Sequence, residues 1–271
     1  MDILVLKVFL YGTNNGRIYN CNTYGTIYCV ASGNATGGII YTNNGLIYNC
    51  TNYANKTADA YGGGIVCYNN ENGIIKKCYN NAKSFKGTLK LAGIAYKNSG
   101  IISKCINNSY VGVSNGVGQA AGISMLNDGI VEYCINNGRI EGWQYGGGLI
   151  CTNTGRLSNS YNIANIDFNW YPAGICPTNT GIISNCYNLG KMWGSRSCAT
   201  ADSNISNSYS LKINENLAGS NYTNCSFRTE AELKSDEQIT LLNTGNTETV
   251  WVKDTKGINN GYPILAWQLE N

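Results

Sequence analysis

The sequence predicts an all-β fold, a parallel β-helix or β-solenoid of about 7 to 8 coils. Three observations predict it: a repeat of 26 to 29 residues, an aliphatic residue at a fixed place in every copy, and glycines at regular positions. A repeat this short cannot bury its own apolar face, so successive copies must stack around a common core. No helical spacing of apolar residues competes with this interpretation.

The repeat unit begins with small-Gly-Ile, continues through three residues, and ends with Asn-x-Gly-x-Ile-x-x-Cys-x-Asn. Its central glycines follow one another at spacings of 29, 28, 27, 29, 26 and 26 residues, and they are Gly16, Gly45, Gly73, Gly100, Gly129, Gly155 and Gly181. If each unit is one coil, equivalent residues stack about 4.8 Å apart and form ladders along the rod. An eighth, degraded copy ends near Ser208.

Three columns of the repeat are predicted to form interior ladders. An aliphatic residue two positions after the glycine fills the core, at Ile18, Ile47, Ile75, Ile102, Val131, Leu157 and Ile183. A small thiol or hydroxyl follows three positions later, at Cys21, Cys50, Cys78, Cys105, Cys134, Ser160 and Cys186. The next column is expected to join side-chain amides of adjacent coils, at Asn52, Asn80, Asn107, Asn136, Asn162 and Asn188. The odd offset between the first two columns requires a bend or bulge, for example at Tyr19 and Asn20.

The 12 cysteines would suggest disulfide bonds in an exported chain. Stacked cysteines of one column have an unfavourable geometry for bridging, so we predict reduced, packed thiols there. For the other six the disulfide state stays open, with a bridge between Cys151 and Cys176 as one alternative; they are Cys29, Cys67, Cys151, Cys176, Cys198 and Cys225. Because the chain has no His and no Cys-x-x-Cys motif, we expect no metal site and no cofactor.

Several runs of the sequence resemble the GLUG-motif repeats of bacterial surface proteins. Examples are the run from Ala92-Gly93-Ile94 to Asn107 and the run from Ala173-Gly174-Ile175 to Gly190. Such repeats occur in filamentous-haemagglutinin-like adhesins, in repeat regions of immunoglobulin-A metallopeptidases and in cell-wall proteins of gut Firmicutes. The end of the chain, residues 259–268, is similar to a segment that often closes these arrays. The resemblance implies an exported, elongated β-helical module and no defined reaction.

We predict a solenoid over residues 1–227 and a small α+β cap over residues 228–271. Thr229 and Glu232 form a capping box for a helix that extends to about Leu242. Residues 249–252 and 262–267 are predicted as strands. This charged tail is expected to cover the open edge of the last coil, and residues 2–7 are a candidate edge strand toward an upstream domain or a second subunit.

Composition excludes some partners. The chain has 271 residues, 13% of them charged, and a net charge of +3 with scattered basic residues, which argues against nucleic acid. The longest apolar run, residues 3–11, contains Lys7 and is much shorter than the roughly 20 residues of a membrane span, so we expect no membrane insertion. Asp2 stands where a signal peptide would carry basic residues, so we expect export by another route or as part of a larger protein.

An enzyme that acts on polysaccharides is one alternative, since that chemistry needs carboxylates clustered on one face. The acidic residues of the repeats are Asp59, Glu71, Asp128, Glu132, Glu141 and Asp167. By the repeat register, no two of them are expected in one column of adjacent coils. Without His as a general base, we predict a non-enzyme with no catalytic residues.

Binding is the favoured class of function. The segments after the Asn column vary most, which indicates a face that carries loops. On three successive coils this face holds Trp143 with Tyr145, Trp170 with Tyr171, and Trp193, which are candidates for stacking on sugar rings; packing over the corner is the alternative.

The sequence therefore predicts a non-catalytic adhesion or spacer module of the extracellular space or cell surface. Its expected partners are glycans or host surface proteins, bound weakly at several points along the rod. A subunit that self-associates through its end coils into an extracellular filament is the structural alternative.

Overall fold

The structure is a computed structural model that describes residues 12–28, 35–57, 61–193, 204–212 and 226–270. These residues form a β-solenoid of about seven coils, which confirms the predicted fold class. Each coil crosses five parallel sheets, named A to E here in the order in which the chain passes through them. Adjacent coils pair in the register of the repeat, as Ile75 with Ile102 shows.

Sheets A to C follow the small-Gly-Ile corner. The strands of sheet A are Thr13–Asn14, Ile40–Asn43, Val66–Asn69, Ala95–Asn98, Ser124–Asn127, Ile150–Asn153 and Thr178–Asn179. Those of sheet B are Arg17–Tyr19, Leu46–Tyr48, Ile74–Lys76, Ile101–Ser103, Ile130–Glu132, Arg156–Ser158, Ile182–Ser184 and Asn204–Ser206. Those of sheet C are Asn22–Thr23, Thr51–Asn52, Tyr79–Asn80, Ile106–Asn107, Ile135–Asn136, Tyr161–Asn162, Tyr187–Asn188, Tyr209–Leu211 and Ser226–Arg228.

Sheets D and E complete each coil. The strands of sheet D are Thr26–Tyr28, Asn55–Thr57, Ser84–Gly87, Tyr110–Val113, Ile140–Gly142, Ile166–Phe168 and Met192–Trp193. Those of sheet E are Ala35–Gly37, Tyr61–Gly63, Lys90–Ala92, Gln119–Ala121, Tyr145–Gly147 and Tyr171–Ala173.

The core consists of stacked aliphatic residues and thiols. From the second to the seventh coil the aliphatic column of sheet B has no exposed surface; its members are Ile47, Ile75, Ile102, Val131, Leu157 and Ile183. It packs against the aliphatic residues that follow the glycine corner, namely Ile39, Ile65, Ile94, Ile123, Leu149 and Ile175. Burial of these columns supplies the main favourable contribution to stacking of the coils.

Two ladders of Asn amides run through the interior. In sheet C each amide donates to the next coil over 2.7 to 3.1 Å, from Asn52 through Asn80, Asn107, Asn136 and Asn162 to Asn188. The second ladder closes sheet A over 2.6 to 2.8 Å and consists of Asn14, Asn43, Asn69, Asn98, Asn127, Asn153 and Asn179. The Asn of the second ladder recurs in the repeat unit, but the bonds between its side chains were not predicted from the sequence. Both ladders satisfy buried amides and define the register.

The bend between the Ile and Cys columns is a single residue in the left-handed region, with φ between 45° and 56°. The residues at this position are Asn20, Asn49, Lys77, Lys104, Tyr133, Asn159, Asn185 and Asn207. The next side chain donates across the bend to the carbonyl two residues earlier, as Cys105 Sγ does to Ser103 at 3.3 Å and Ser160 Oγ does to Ser158 at 2.8 Å. Because thiol and hydroxyl both donate, Ser can replace Cys in this column.

The described cysteines are free thiols. Burial raises the pKa of Cys186 to about 12, so this thiol stays protonated at neutral pH. Cys67, Cys151 and Cys176 are also free, and Cys176 Sγ donates to the Cys151 carbonyl at 3.7 Å. The predictions for Cys29, Cys198, Cys225 and residues 2–7 lie outside the described residues.

The tail differs from its prediction in local structure. The expected single helix is two helices, Glu230–Leu233 and Asp236–Asn243, because Ser235 accepts from the Gln238 amide and caps the second one. The strands Trp251–Val252 and Ile264–Leu265 pair antiparallel. They are shorter than predicted, since the chain turns into a 3₁₀ helix at Ala266–Leu269.

The tail also lies in a different place from the one expected. It packs along the outer face of sheet C rather than over the end of the last coil. Within described residues 226–270, the strand Ser226–Arg228 is the one that extends sheet C, by pairing with Tyr209–Leu211. The outward column that it covers is Ile135, Tyr161, Tyr187 and Tyr209, packed against Leu233, Leu242, Trp251, Leu265 and Trp267. This column is apolar, so covering it buries more hydrophobic surface than covering a polar edge would.

Candidate ligand-binding site

The outer face of sheet D lies beside the covered face of sheet C. From the third to the seventh coil an apolar residue of each strand points into the core, at Phe85, Val111, Ile140, Ile166 and Met192. Side chains alternate along a strand, so its neighbours on both sides point outward. One outward column contains Ser84, Tyr110, Arg139, Asn165 and Lys191, and the other contains Lys86, Gly112, Glu141, Asp167 and Trp193. We call these two columns the sheet D face.

Two carboxylates share a column on this face, contrary to the expectation from the repeat register. Glu141 is aligned with Asp167 on the next coil. The prediction that no two acidic residues share a column in adjacent coils is therefore wrong. Each of the two lies 12 residues after its central glycine, Gly129 or Gly155, with no insertion between, so the register requires the alignment.

Arg139 and Tyr110 hold this pair of carboxylates. Arg139 Nε donates to Asp167 Oδ2 at 2.6 Å, and Arg139 Nη2 lies 3.3 Å from Glu141 Oε2. The Tyr110 hydroxyl donates to Glu141 Oε2 at 3.0 Å. The hydrogen bond to Asp167 raises the pKa of Arg139, and burial together with the bond to Glu141 raises the pKa of Tyr110 to about 12. Both carboxylates are thus engaged by donors of the same chain.

A groove of about 480 Å³ opens on the sheet D face, and its lining includes Lys86, Thr88, Tyr110, Ser114, Glu141 and Trp143. The Tyr110 ring forms its floor by lying across Gly112. A Cβ atom on Gly112 would come within 2.5 Å of the Tyr110 oxygen, so glycine is required beneath the ring. Lys86 Nζ lies 5.3 Å from the centroid of the same ring. The floor is therefore held between an ammonium group and a carboxylate.

The three tryptophans are exposed on successive coils at this side of the solenoid. The exposed fractions are 45% for Trp143, 55% for Trp170 and 68% for Trp193. Trp193 is aligned with Asp167 of the preceding coil. By the register of the flanking strands, Trp143 is aligned with Asn169 of the next coil, and Trp170 is aligned with Gln144 of the preceding coil. The tryptophans therefore form a staggered surface rather than one stacked column.

The two tyrosines proposed with them pack against the protein. Tyr145 and Tyr171 stack with ring centroids 4.9 Å apart, and both are half-buried on sheet E. Tyr145 also packs against the small cluster of Ala92, Ala121, Met125 and Cys151. At these two positions the structure favours the alternative in which the rings are packing residues.

Three residues of the sheet D face were not predicted from the sequence: Lys86, Tyr110 and Arg139. Each is adjacent to an inward residue of sheet D, so alternation about Phe85, Val111 and Ile140 was the signal that could have located them. Counting from the central glycine alone does not separate the inward from the outward positions.

Lys56 is a buried cation on the inner side of sheet D. It aligns with Phe85, has no exposed surface, and donates from Nζ to the Tyr61 carbonyl at 2.8 Å. Its side chain occupies space left by Gly62, where a Cβ atom would collide with Nζ. Burial lowers the pKa of Lys56 to about 7. The strand next to the groove strands thus carries a charge at an interior position.

None of the helices in the described ranges has the length and apolar character to cross a membrane. No group of three or more His, Cys, Asp and Glu in these same ranges is placed to hold a metal ion.

No protein-family model matches the sequence, and no curated protein matches it. Among solved structures, the chain is similar to a crystal structure of a putative immunoglobulin A1 protease from Bacteroides ovatus. The identity is 15%, the alignment covers 93% of this chain and 86% of the other, and the TM-score is 0.40. A likeness at this level carries no information about activity.

Proposed function

We propose that the chain is a non-catalytic adhesion module of the extracellular space or cell surface, and that it binds glycans on the sheet D face. The observation that carries the proposal is the groove in which exposed Trp143 lies beside Glu141 and Tyr110. A sugar presents an apolar ring face that can stack on an indole and hydroxyl groups that can bond to a carboxylate or a phenol.

The solenoid supports this surface as a rigid body. The interior ladders keep successive strands about 4.8 Å apart, so the groups of the sheet D face are preorganised along the rod. From Lys86 to Trp193 the face spans four coil steps, about 19 Å. A linear glycan can contact several coils at once, so individually weak contacts can add.

The carboxylate pair serves binding in this proposal. Arg139 lies between Glu141 and Asp167 and occupies oxygens of both. Glycoside hydrolysis needs one carboxyl group as an acid and a second one free to act as a base or nucleophile. A pair bridged by arginine is better suited to accept hydrogen bonds from sugar hydroxyls.

The resemblance to GLUG-motif repeats supports the cellular context of the proposal. Such repeats occur in bacterial surface proteins, so we propose that this chain is exported and displayed in the same way. The solenoid then acts as adhesive surface and spacer in one element.

The test is a glycan-array screen of the purified chain beside Trp143→Ala, Trp170→Ala and Trp193→Ala. We expect the largest loss of binding for Trp143→Ala, because this tryptophan lines the groove. The matched control is Ile182→Ala, a 50% exposed side chain on sheet B that should leave binding unchanged. Circular dichroism checks that every variant is folded.

Two outcomes would contradict the proposal. If no glycan binds, or if all three folded tryptophan variants bind as the parent does, a spacer or filament role replaces glycan binding. If a bound oligosaccharide is shortened during incubation and Glu141→Gln prevents this, the chain is an enzyme.

A further inference from the structure

The charges along the groove differ between its two ends. At the end formed by coil five, Glu141 is engaged by Arg139 and Tyr110, and Arg139 also binds Asp167 on the next coil. At the end formed by coil three stands Lys86, whose ammonium contacts the Tyr110 ring. Among the residues that the structure describes, no carboxylate lies within ion-pair distance of Lys86, in contrast to Lys97, which pairs with Asp128 at 3.4 Å.

The position of Lys86 separates it from the acidic end. Lys86 and Glu141 occupy the same outward column two coils apart, which corresponds to about 10 Å. Between them lies Gly112 under the Tyr110 ring, so no side chain of that column fills the space. The groove therefore presents an ammonium at one end, a flat ring as its floor, and a carboxylate with an indole at the other end.

Hydroxyl groups complete the cationic end. Thr88 and Ser114 line the groove and are exposed. Ser114 donates its hydroxyl to the Gly87 carbonyl at 3.3 Å, which leaves the lone pairs of its oxygen as acceptors. An ammonium beside an exposed threonine hydroxyl provides several donors for one anionic group, and charge-assisted hydrogen bonds are roughly twice as strong as neutral ones.

We infer that the groove selects acidic sugars: Lys86 pairs with the carboxylate of one sugar residue, while the neighbouring residue stacks on Trp143 and donates hydroxyl hydrogens to Glu141. This inference rests on the proposed glycan binding and adds the charge and the direction of the ligand. A neutral glycan makes only the contacts at the Trp143 end. A fully anionic polymer would place a second negative charge against Glu141, so a sequence that alternates acidic and neutral residues fits better.

The experiment measures affinity by calorimetry for two acidic probes in which acidic and neutral residues occur together, a hyaluronan oligosaccharide and sialyllactose, and for their uncharged counterparts, the methyl esters of the same two compounds. We expect at least one acidic probe to bind about tenfold more tightly than its uncharged counterpart. Lys86→Gln should reduce the ratio of acidic-probe affinity to uncharged-probe affinity to about one. The preference should also decrease as salt is raised, because the ion pair is solvent-exposed.

The matched control is Lys76→Gln, which removes the same charge from an exposed position on the outer face of sheet B. It should retain the preference, which separates pairing at Lys86 from an effect of net charge. If acidic and uncharged probes bind equally, or if Lys86→Gln keeps the preference, the inference is overturned while glycan binding stands. If no probe and no array glycan binds, the proposed function fails and the inference fails with it.

Discussion

Sheets C and D are neighbours on every coil, but the described part of the tail covers the outer face of sheet C and not that of sheet D. On sheet C the rings of Tyr161 and Tyr187 stack 4.9 Å apart and are covered by Trp251 of the tail. On sheet D, Trp143 and Trp193 stay exposed among charged side chains. Aromatic residues are thus structural where the chain covers them and available to a ligand where it does not.

The polar contacts of the two sheets also differ, since those of sheet C join it to the tail and those of sheet D lie within its own outer face. On sheet C the Tyr187 hydroxyl donates to the Pro263 carbonyl at 2.5 Å and accepts from Asn259 Nδ2 at 2.8 Å, both in the tail. Asp254 holds that tail loop through backbone amides, including the Asn259 amide at 2.7 Å; burial opposes its charge, but these bonds lower the pKa of Asp254 overall. On sheet D the polar groups bond to one another and remain open to solvent.

The largest expected loss of stability comes from disrupting the interior, because the faces of sheets C and D both depend on it. Ile102→Asp places an unpaired charge in the fully buried column, and we expect the middle coils to unfold. The matched control is Ile101→Asp, one residue earlier and directed outward, which should leave the fold intact. Circular dichroism and thermal unfolding distinguish them, and equal melting temperatures for the parent and Ile102→Asp would refute the register.

The second largest loss of stability is expected where the tail covers sheet C, and it distinguishes that face from the exposed face of sheet D. Trp251→Ala removes a fully buried ring that contacts Tyr161 and Tyr187, and whose Nε1 donates to Asn159 at 3.1 Å. We expect a loss of about 3 to 5 kcal/mol in the free energy of unfolding, measured by denaturant titration. Trp170→Ala, at an exposed ring, should change it by less than about 0.5 kcal/mol. Equal losses for the two variants would show that the faces do not differ.

The smallest expected effect is a gain in stability on the inner side of sheet D. The pKa of Lys56 is about 7 in the folded chain against an ordinary value of 10.5, so below pH 7 the protonated amine favours the unfolded state. Stability contributed by this group therefore increases as the pH rises from about 7 to 10.5. Lys56→Met should stabilise the chain by roughly 2 to 4 kcal/mol at pH 6 and by little at pH 11.

Denaturant titrations at several pH values measure this difference. Lys76→Met is the control, since it makes the same substitution at an exposed position. If Lys56→Met is less stable than the parent at every pH, the hydrogen bond from Lys56 to Tyr61 outweighs the cost of burial.

The solenoid was predictable because its signal is repeated in every coil. Columns such as that of Ile75 and Ile102 recur at the period, and stacking is the arrangement that buries them all. The groove was not predictable to the same degree. Lys86 and Tyr110 do not recur from coil to coil, and their meeting depends on Gly112 allowing one ring to lie across the sheet.

The place of the tail was also beyond the sequence analysis, although one signal existed. The outward column of sheet C changes from Asn22 and Thr51 in the first coils to Ile135 and Tyr161 in later ones. An apolar outer column predicts a covering element. That signal does not state which segment of the chain covers it.

The sequence by itself determined the coil length, the stacking register and the identity of the interior, since each follows from a periodic pattern of apolar residues and glycines. The tertiary structure alone decided which aromatic residues are covered and which are exposed. It also brought Lys86, Tyr110 and Glu141 into one groove. These outcomes depend on contacts between residues of different coils and between the tail and the rod, and such contacts depend on side-chain packing rather than on period.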